Sequence, residues 1–320
     1  MNGTVVTHFI LLAFADLHEF QYLLSFAFLL TYVTCILGNI FIIILVRTDF
    51  TLSSPMYFFI SLFSALEIMF VSSTVPKLLA NLVAANNKIT FTGCIVQMYA
   101  FDSLGVTECY LLAVMVFDRH LAISNPLRYS SIMTHTFRTE LAIFPWLVGF
   151  GTILIPVIFT AQLKFCGPNI IDHFFCDFAQ LQRLSSSDPF VSRVATSVTG
   201  AFDGVLPFLI IMGLYINIII SVVKIKTEQG KQKAFSTCTS HLIVSSLFYG
   251  TAIIVYVNPG GTNHDKCLAL MYTAFTPVIN PFIYTFRNED VKKAFRKLTT
   301  SHICNTISTP RIKIVPVPGS

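Results

Sequence analysis

Charged side chains are scarce in this chain of 320 residues, because Asp, Glu, Lys and Arg together make up only 12% of the sequence. Soluble domains carry about 25% charged residues, so the composition argues against a soluble globular protein. Apolar residues make up 54% of the chain. The sequence therefore indicates a membrane protein.

Several recognisable segments are also missing. The segment Met1–Gln21 has no basic start, and its apolar run Phe9–Ala15 is too short for a cleavable signal peptide. The first span should therefore act as its own insertion signal. No nucleophile elbow, phosphate loop or metal-ligand cluster is visible, which argues against an enzyme. A channel or transporter is the alternative class, but we find no internal hydropathy repeat to favour it.

Long apolar segments are the main feature of the sequence. A membrane-spanning helix needs about 20 mostly apolar residues. We therefore predict an all-α membrane protein, with a seven-helix bundle in residues 22–298 between an outer tail (residues 1–21) and a disordered inner tail (residues 299–320). The seven predicted spans are Tyr22–Val46, Met56–Pro76, Cys94–Phe117, Leu141–Leu163, Val194–Val223, Ala234–Val257 and Cys267–Phe286.

The distribution of basic residues predicts the orientation. Of the 21 Lys and Arg residues, fourteen follow odd-numbered spans and six lie on the opposite side, with Arg119 set aside as intramembrane. Basic residues favour the cytoplasmic side, so the N-terminus should be outside and the C-terminus inside. The sequence Asn2-Gly3-Thr4 is the only N-x-S/T acceptor and falls in the predicted outer tail. It predicts glycosylation at Asn2.

Acidic residues interrupt the apolar runs. Asp102 and Asp203 each lie in a run without a basic residue, and Glu67, Glu108 and Asp118 also lie inside predicted spans. A lone charge near the bilayer centre costs several kcal/mol, so such residues normally face the interior of a bundle and mark a functional pathway. The sequence therefore predicts a polar interior.

Three of the eight cysteines fall on the predicted outer side, where disulfides persist. Cys94 opens the third span, and Cys166 and Cys176 lie in the loop before the fifth. One bridge would hold this loop over the mouth of the bundle. Spacing alone does not decide which cysteine is left unpaired.

Four sequence segments follow a familiar pattern. Pro55–Phe59 reads PMYFF, Met115–Tyr129 reads MVFDRHLAISNPLRY, Lys233–Leu242 reads KAFSTCTSHL, and Pro277–Tyr284 reads PVINPFIY. Together they resemble an odorant receptor of the rhodopsin-like G-protein-coupled class, in its tetrapod-type branch, over about residues 5 to 300. The resemblance implies an odorant site in the outer half of the bundle. It also implies a stimulatory olfactory-type G protein as partner, cyclic AMP signalling and a place in the plasma membrane of olfactory cilia.

The sequence departs from the family pattern at three positions. His120 stands where the family usually has Tyr, and Ser124 where it has Cys. Ser186 replaces a third outer-loop cysteine that would pair with Cys166 by the family pattern. The resemblance therefore implies that a Cys94–Cys176 disulfide remains and that Cys166 is free, which removes one constraint on the loop.

Helical spacing and the resemblance together predict the ligand site. Residues three, four and seven apart share a helix face. By the family's arrangement, faces of the third, fifth, sixth and seventh helices converge on one mostly apolar cavity. The predicted lining residues are Asp102, Gly105, Val106, Cys109, Thr199, Asp203, Tyr249, Ala252, Ile253, Tyr256, Leu270, Thr273 and Ala274. The two acids suggest an amine ligand, while a neutral odorant is the competing hypothesis.

We expect the residues that control activation to lie in the inner half of the bundle. The resemblance implies that Asp118 restrains Arg119 until a ligand releases it toward a G protein. It also implies activation roles for Tyr215, Asn280 and Tyr284. We add His241, which lies eight residues before Tyr249 on the same predicted helix.

A pair of carboxyl groups is expected midway along the bundle. By the family pattern, Glu67 and Glu108 face each other, with Asn39 and Asn280 nearby. Two carboxylates in a low dielectric do not both ionise cheaply. Either a bound sodium ion bridges them, which would be the only cofactor, or they form a hydrogen-bonded pair.

The residues after the seventh span predict a helix on the inner membrane surface. In Asn288–Leu298, apolar residues recur at helical spacing and basic residues fall between them. Such a pattern is typical of an amphipathic helix with its cations toward lipid headgroups.

Overall fold

The computed structural model describes residues 6–14, 19–84, 87–257, 266, 269–287 and 290–297. Its long helices are α1 (Gln21–Thr48), α2 (Pro55–Ala84), α3 (Phe91–Ser124), α4 (His135–Ala161), α5 (Phe190–Val223), α6 (Glu228–Val257), α7 (Met271–Phe275 and Thr276–Arg287) and α8 (residues 290–297). The expected helical bundle is confirmed. Asn2 and the tail after residue 298 lie outside the described residues.

Five of these helices, α1 to α5, are long and apolar enough to cross a membrane. Each begins before the apolar run that predicted it. Helices α1 to α3 also end after it, whereas α4 ends at Ala161, two residues short of the predicted Leu163, and α5 ends at Val223 as predicted. In α6 the first turns carry Glu228 and Lys231, and its apolar part is the shorter stretch His241–Gly250.

Helix α3 is the centre of the bundle. Its most apolar stretch is 72% buried, whereas the corresponding stretch of α1 is 22% buried. It packs against α2, α4 and α5. At Gly149 of α4, an added Cβ atom would lie 2.4 Å from Oγ1 of Thr107 and 2.5 Å from the carbonyl oxygen of Ser103. Glycine is therefore required at this contact between α3 and α4.

A small sheet lies on the outer side. Strand β1 (His8–Leu11) pairs antiparallel with β2 (Lys88–Thr90) and parallel with β3 (Ile170–Ile171), in the order β2-β1-β3. Phe9 and Leu11 are completely buried. The ring of Phe9 contacts the rings of Phe91 and Phe165, at centroid distances of 6.1 and 5.3 Å. Part of the predicted outer tail is thus an integral strand.

The outer loop between α4 and α5 is attached to the bundle by the Cys94–Cys176 disulfide, as expected. Cys166 is exposed and forms no disulfide with any described residue. Its N–H group donates to Oγ of Ser186 at 2.9 Å, and this hydroxyl donates to the carbonyl oxygen of Cys166 at 3.1 Å. Ser186 therefore supplies hydrogen bonds at the position where the family pattern has a disulfide.

The inner helix α8 docks onto the ends of α1 and α2. Val291 and Ala294 are buried, while Lys297 is exposed and lies 3.4 Å from a carboxylate oxygen of Asp49. The hydroxyl of Tyr57 donates to Asp290 at 3.2 Å. The described part of the predicted amphipathic helix thus has apolar residues toward the protein and basic residues outward.

Candidate functional site

Asp102 lies near the outer loop. It is in the fourth turn of α3, close to Asp177, the residue after the disulfide-bonded Cys176. Among the described residues, Oδ2 of Asp102 is buried without a hydrogen-bond partner. Asp177 caps a short helix (Phe178–Leu184) by accepting from the N–H of Ala179 at 2.9 Å. Burial raises the pKa of Asp177 above its usual range.

Asp203 occupies a π-helical turn, Ala201–Val205, within α5. Such turns insert one extra residue and are frequent at functional sites. Asp203 is 2% exposed, and its carboxylate lies near Tyr110 of α3 and Thr152 of α4. Neither carboxylate oxygen makes a hydrogen bond to the part of the chain that the structure describes. Tyr110 and Thr152, which sequence reasoning missed, therefore surround a buried acid whose hydrogen bonds are unsatisfied.

The two acids have different neighbours. Asp102 is close to the outer loop, whereas Asp203 is close to Tyr110, eight residues further along α3. At about 1.5 Å per residue this separation is about 12 Å along the helix axis. Each acid thus stands in its own polar environment.

The predicted residues Cys109 and Tyr249 come together below the outer loop. The phenol of Tyr249 lies near the thiol of Cys109, and its ring is 5.3 Å from that of Phe208 on α5. Tyr249 is buried, and its hydroxyl has no hydrogen-bond partner within the described ranges. Helices α3, α5 and α6 therefore meet at this point. For Ala252, Ile253 and Tyr256, side-chain positions lie outside what the structure describes.

The remaining predicted lining residues contribute few free polar groups. The hydroxyl of Thr199 donates to the carbonyl oxygen of Ala195 at 2.8 Å, and that of Thr273 donates to Ala269 at 2.7 Å. Both hydroxyl protons are therefore already used in hydrogen bonds to the backbone of their own helices. Gly105 faces the ring of Phe70, which an added Cβ would meet at 3.7 Å. Val106 and Leu270 are half-buried, and Ala274 is buried.

At the inner end, Asp118 is shared between two donors. Nε of Arg119 donates to Oδ2 of Asp118 at 2.9 Å, and Nη2 contacts the same oxygen. The hydroxyl of Tyr129, in a one-turn helix (Tyr129–Ile132), donates to Oδ1 at 2.6 Å. Burial and the neighbouring carboxylate raise the pKa of Tyr129 above its ordinary value. Tyr129 ends the quoted motif of the third span, yet sequence reasoning gave it no role.

Three other residues with predicted roles in activation lie near one another and near this pair: Tyr215, His241 and Tyr284. The ring of His241 is 5.6 Å from that of Tyr284, and Tyr215 lies near Tyr284. His241 and Cys238 of α6 are near Arg119. The inner ends of α3 and α6 are therefore close together, in an arrangement where Arg119 is held by Asp118.

Glu67 and Glu108 are both buried and lie near each other. Oε1 of Glu67 accepts from the amide of Asn280, and the amide of Asn39 donates to the carbonyl oxygen of Cys35 at 3.0 Å. Oε2 of Glu67 and Oδ1 of Asn280 have no hydrogen-bond partner among described residues. No group of three or more His, Cys, Asp and Glu that could hold a metal occurs in the described ranges.

Comparisons with known proteins agree on one family. A family model described as olfactory receptor matches residues 28–302. The chain is 44% identical to olfactory receptor 11H4 of Homo sapiens over 297 residues, which cover 92% of each protein. It is 43% identical to olfactory receptor 6E1 of Mus musculus over 300 residues, covering 92% of this chain and 96% of the relative. These matches, together with the helical bundle and its disulfide, show that the chain belongs to the olfactory receptor family and is a receptor rather than an enzyme.

Proposed function

We propose that this protein is an odorant receptor that crosses the plasma membrane of olfactory cilia seven times, with its N-terminus outside. It binds a small volatile molecule in the outer half of the bundle. Binding activates a stimulatory olfactory-type G protein and raises cyclic AMP. The family membership and the basic residues on the inner side support this proposal.

The observation that carries the proposal is the meeting of three helices around buried, unsatisfied polar groups. Cys109 of α3, Asp203 of α5 and Tyr249 of α6 lie in one neighbourhood. Ligand sites are mostly apolar and contain a few polar groups that fix orientation. Unsatisfied buried oxygens are costly, so a ligand that supplies hydrogen bonds there is stabilised.

Activation requires that the ligand bind one of two pre-existing arrangements better than the other. In the arrangement described above, Asp118 holds Arg119 and α6 lies beside them. A ligand against Tyr249 favours movement of the inner end of α6, which frees Arg119 for the G protein. Tyr215, His241, Asn280 and Tyr284 respond to that movement.

The ligand class follows from the two acids. No positively charged side chain among the described residues is paired with Asp102 or Asp203. An amine would supply the missing cation. Because Asp102 lies about 12 Å along α3 from Tyr110, the neighbour of Asp203, each acid would pair with a separate ammonium group, as in a diamine. The competing proposal is a neutral alcohol, aldehyde or ketone that hydrogen-bonds to these acids or to Tyr249.

Cyclic AMP measured in cells expressing the receptor, with panels of amines and neutral odorants, tests the function. An ion flux in cells without the G protein would favour a channel or transporter instead. Asp102→Asn and Asp203→Asn should each reduce amine responses and spare neutral ones. If both variants respond normally to amines, the amine proposal fails. Tyr249→Phe should lower efficacy, since it removes the buried hydroxyl.

We also propose a sodium ion at Glu67 and Glu108. The two unsatisfied oxygens of Glu67 and Asn280 form part of an oxygen-only donor set, which suits a hard cation. Glu108→Gln should abolish any sodium dependence of signalling, whereas the exposed Glu140→Gln should preserve it. Unchanged sodium dependence in Glu108→Gln would favour the alternative, a hydrogen-bonded carboxyl pair.

A further inference from the structure

Two positions at which the sequence departs from the receptor motif are in contact with each other. His120 and Ser124 are four residues apart at the inner end of α3, so they share a helix face. Nδ1 of His120 lies 3.3 Å from Oγ of Ser124. The two departures therefore form one local pair, directly after Arg119 in the chain.

The pair continues onto α5. Oγ of Ser124 lies 2.8 Å from Oγ of Ser221, and Ser221 donates to the carbonyl oxygen of Asn217 at 2.9 Å. Serine within a helix commonly bonds to the carbonyl four residues earlier. A row of three hydrogen bonds thus connects the inner end of α3 to α5.

The direction of these bonds follows from the number of protons. Each hydroxyl carries one proton. Ser221 gives its proton to Asn217, so its oxygen accepts from Ser124. Ser124 then has no proton left for His120, and the imidazole must donate from Nδ1. An imidazole that carries a proton on Nδ1 satisfies the whole row.

We propose that His120, Ser124 and Ser221 form an inner tether that holds α3 against α5 in the resting receptor and so limits activity without ligand. The tether coexists with the Asp118–Arg119 pair, the arrangement assigned to the resting state. A contact made in only one of two states biases the equilibrium toward that state. This inference rests on the proposed coupling to a G protein.

Removing the tether should raise ligand-independent cyclic AMP. At equal surface expression, Ser124→Ala and Ser221→Ala should each raise the basal signal about 2- to 10-fold, as expected for loss of a neutral hydrogen bond. The double variant should match the larger single effect, since the row acts as a unit. Ser221→Thr keeps the hydroxyl and should resemble the parent.

A matched control is Ser131→Ala, because the hydroxyl of Ser131 donates only within its own inner loop, to Arg128 at 2.8 Å. Its basal signal should be unchanged. If Ser124→Ala and Ser221→Ala stay at the parental level, or if their effects add in the double variant, the tether is refuted.

A second experiment needs no G protein. Ser124→Cys combined with Ser221→Cys should form a disulfide under mild oxidation in membranes without odorant, located by mass spectrometry. Ser124→Cys combined with Ile219→Cys, whose position is on the exposed side of α5, should not. Absence of the first cross-link refutes the tether whether or not the receptor signals. A cross-linked receptor that raises cyclic AMP with no odorant would also refute the tether, because the locked contact would then favour the active state. A receptor that cross-links but gives no cyclic AMP response to any odorant, before or after reduction, would instead refute the proposed function and leave the α3–α5 contact standing.

Discussion

Replacing Ser186 with cysteine should create a second disulfide in the outer loop. Cys166 is exposed and unpaired among described cysteines, and Ser186 hydrogen-bonds to both its N–H and its carbonyl oxygen. A second backbone contact, from the N–H of Ser186 to the carbonyl oxygen of Lys164 at 2.8 Å, holds the two segments side by side. A thiol at position 186 would therefore lie beside that of Cys166.

The size of the effect follows from the closed loop. The two positions are 20 residues apart. Closing such a loop stabilises the folded state by about 3 kcal/mol in the chain-entropy treatment. This is an upper value, because Cys176 already attaches the middle of the loop to α3. Ser186→Ala instead loses two hydrogen bonds, at about 1 kcal/mol each. Ser186→Cys loses the same hydroxyl but gains the disulfide, so the free energy of unfolding of oxidised Ser186→Cys should exceed that of Ser186→Ala by up to about 3 kcal/mol.

Thermal unfolding of the purified receptor in detergent, with thiol counting, tests this reasoning. Oxidised Ser186→Cys should unfold up to about 5 °C above Ser186→Ala, from the usual entropy of unfolding per residue. Reduction should remove the difference. Ser187→Cys is the matched control, since the Oγ of Ser187 accepts from the N–H of Lys164, and it should leave Cys166 reactive. Two free thiols in oxidised Ser186→Cys would refute the placement of this loop.

Three further variants test other contacts. Phe9→Ala should lower the free energy of unfolding by about 3–5 kcal/mol and reduce surface expression, whereas the exposed His8→Ala should not. Tyr129→Phe removes a hydrogen bond to a charged group, worth about 1.5–3 kcal/mol, and should raise basal cyclic AMP roughly tenfold or more; a parental basal signal would contradict this. Gly149→Ala should cost about 1–3 kcal/mol in thermal or denaturant unfolding, while Gly151→Ala, with nothing within 4 Å of its Cβ, should be neutral.

Hydropathy predicted where α1 to α5 lie, because a spanning helix must satisfy its backbone internally and therefore leaves a long apolar run. The resemblance identified the paired cysteines correctly. Neither hydropathy nor the family resemblance predicted β1. This strand has only four residues, too few for a periodic pattern, and its partner residue Ile170 is distant in the chain. Strand pairing of this kind depends on tertiary contacts that local sequence does not encode.

The residues around Asp203 could not be predicted from the local sequence for a different reason. Regular helical spacing assumes the same number of residues in every turn. The π turn at Ala201–Val205 changes that number, and so changes which face Asp203 occupies. Asp203, in this turn, lies near Tyr110 and Thr152, which regular spacing did not predict. The same holds at Met271–Phe275, which contains Thr273.

The pairing of β1 with β3 has a consequence for biosynthesis. Ile10 pairs with Ile170, so the ribosome must add 160 residues before the partner of β1 exists. At about 5–20 residues per second, translation takes roughly 8–32 s over this interval. Throughout that time Phe9 and Leu11 lack the part of their cover that β3 and Phe165 provide. The parallel pairing of β1 therefore forms only after α4 and the loop that follows it have been made, so a change that displaces this loop also removes part of the cover of Phe9 and Leu11.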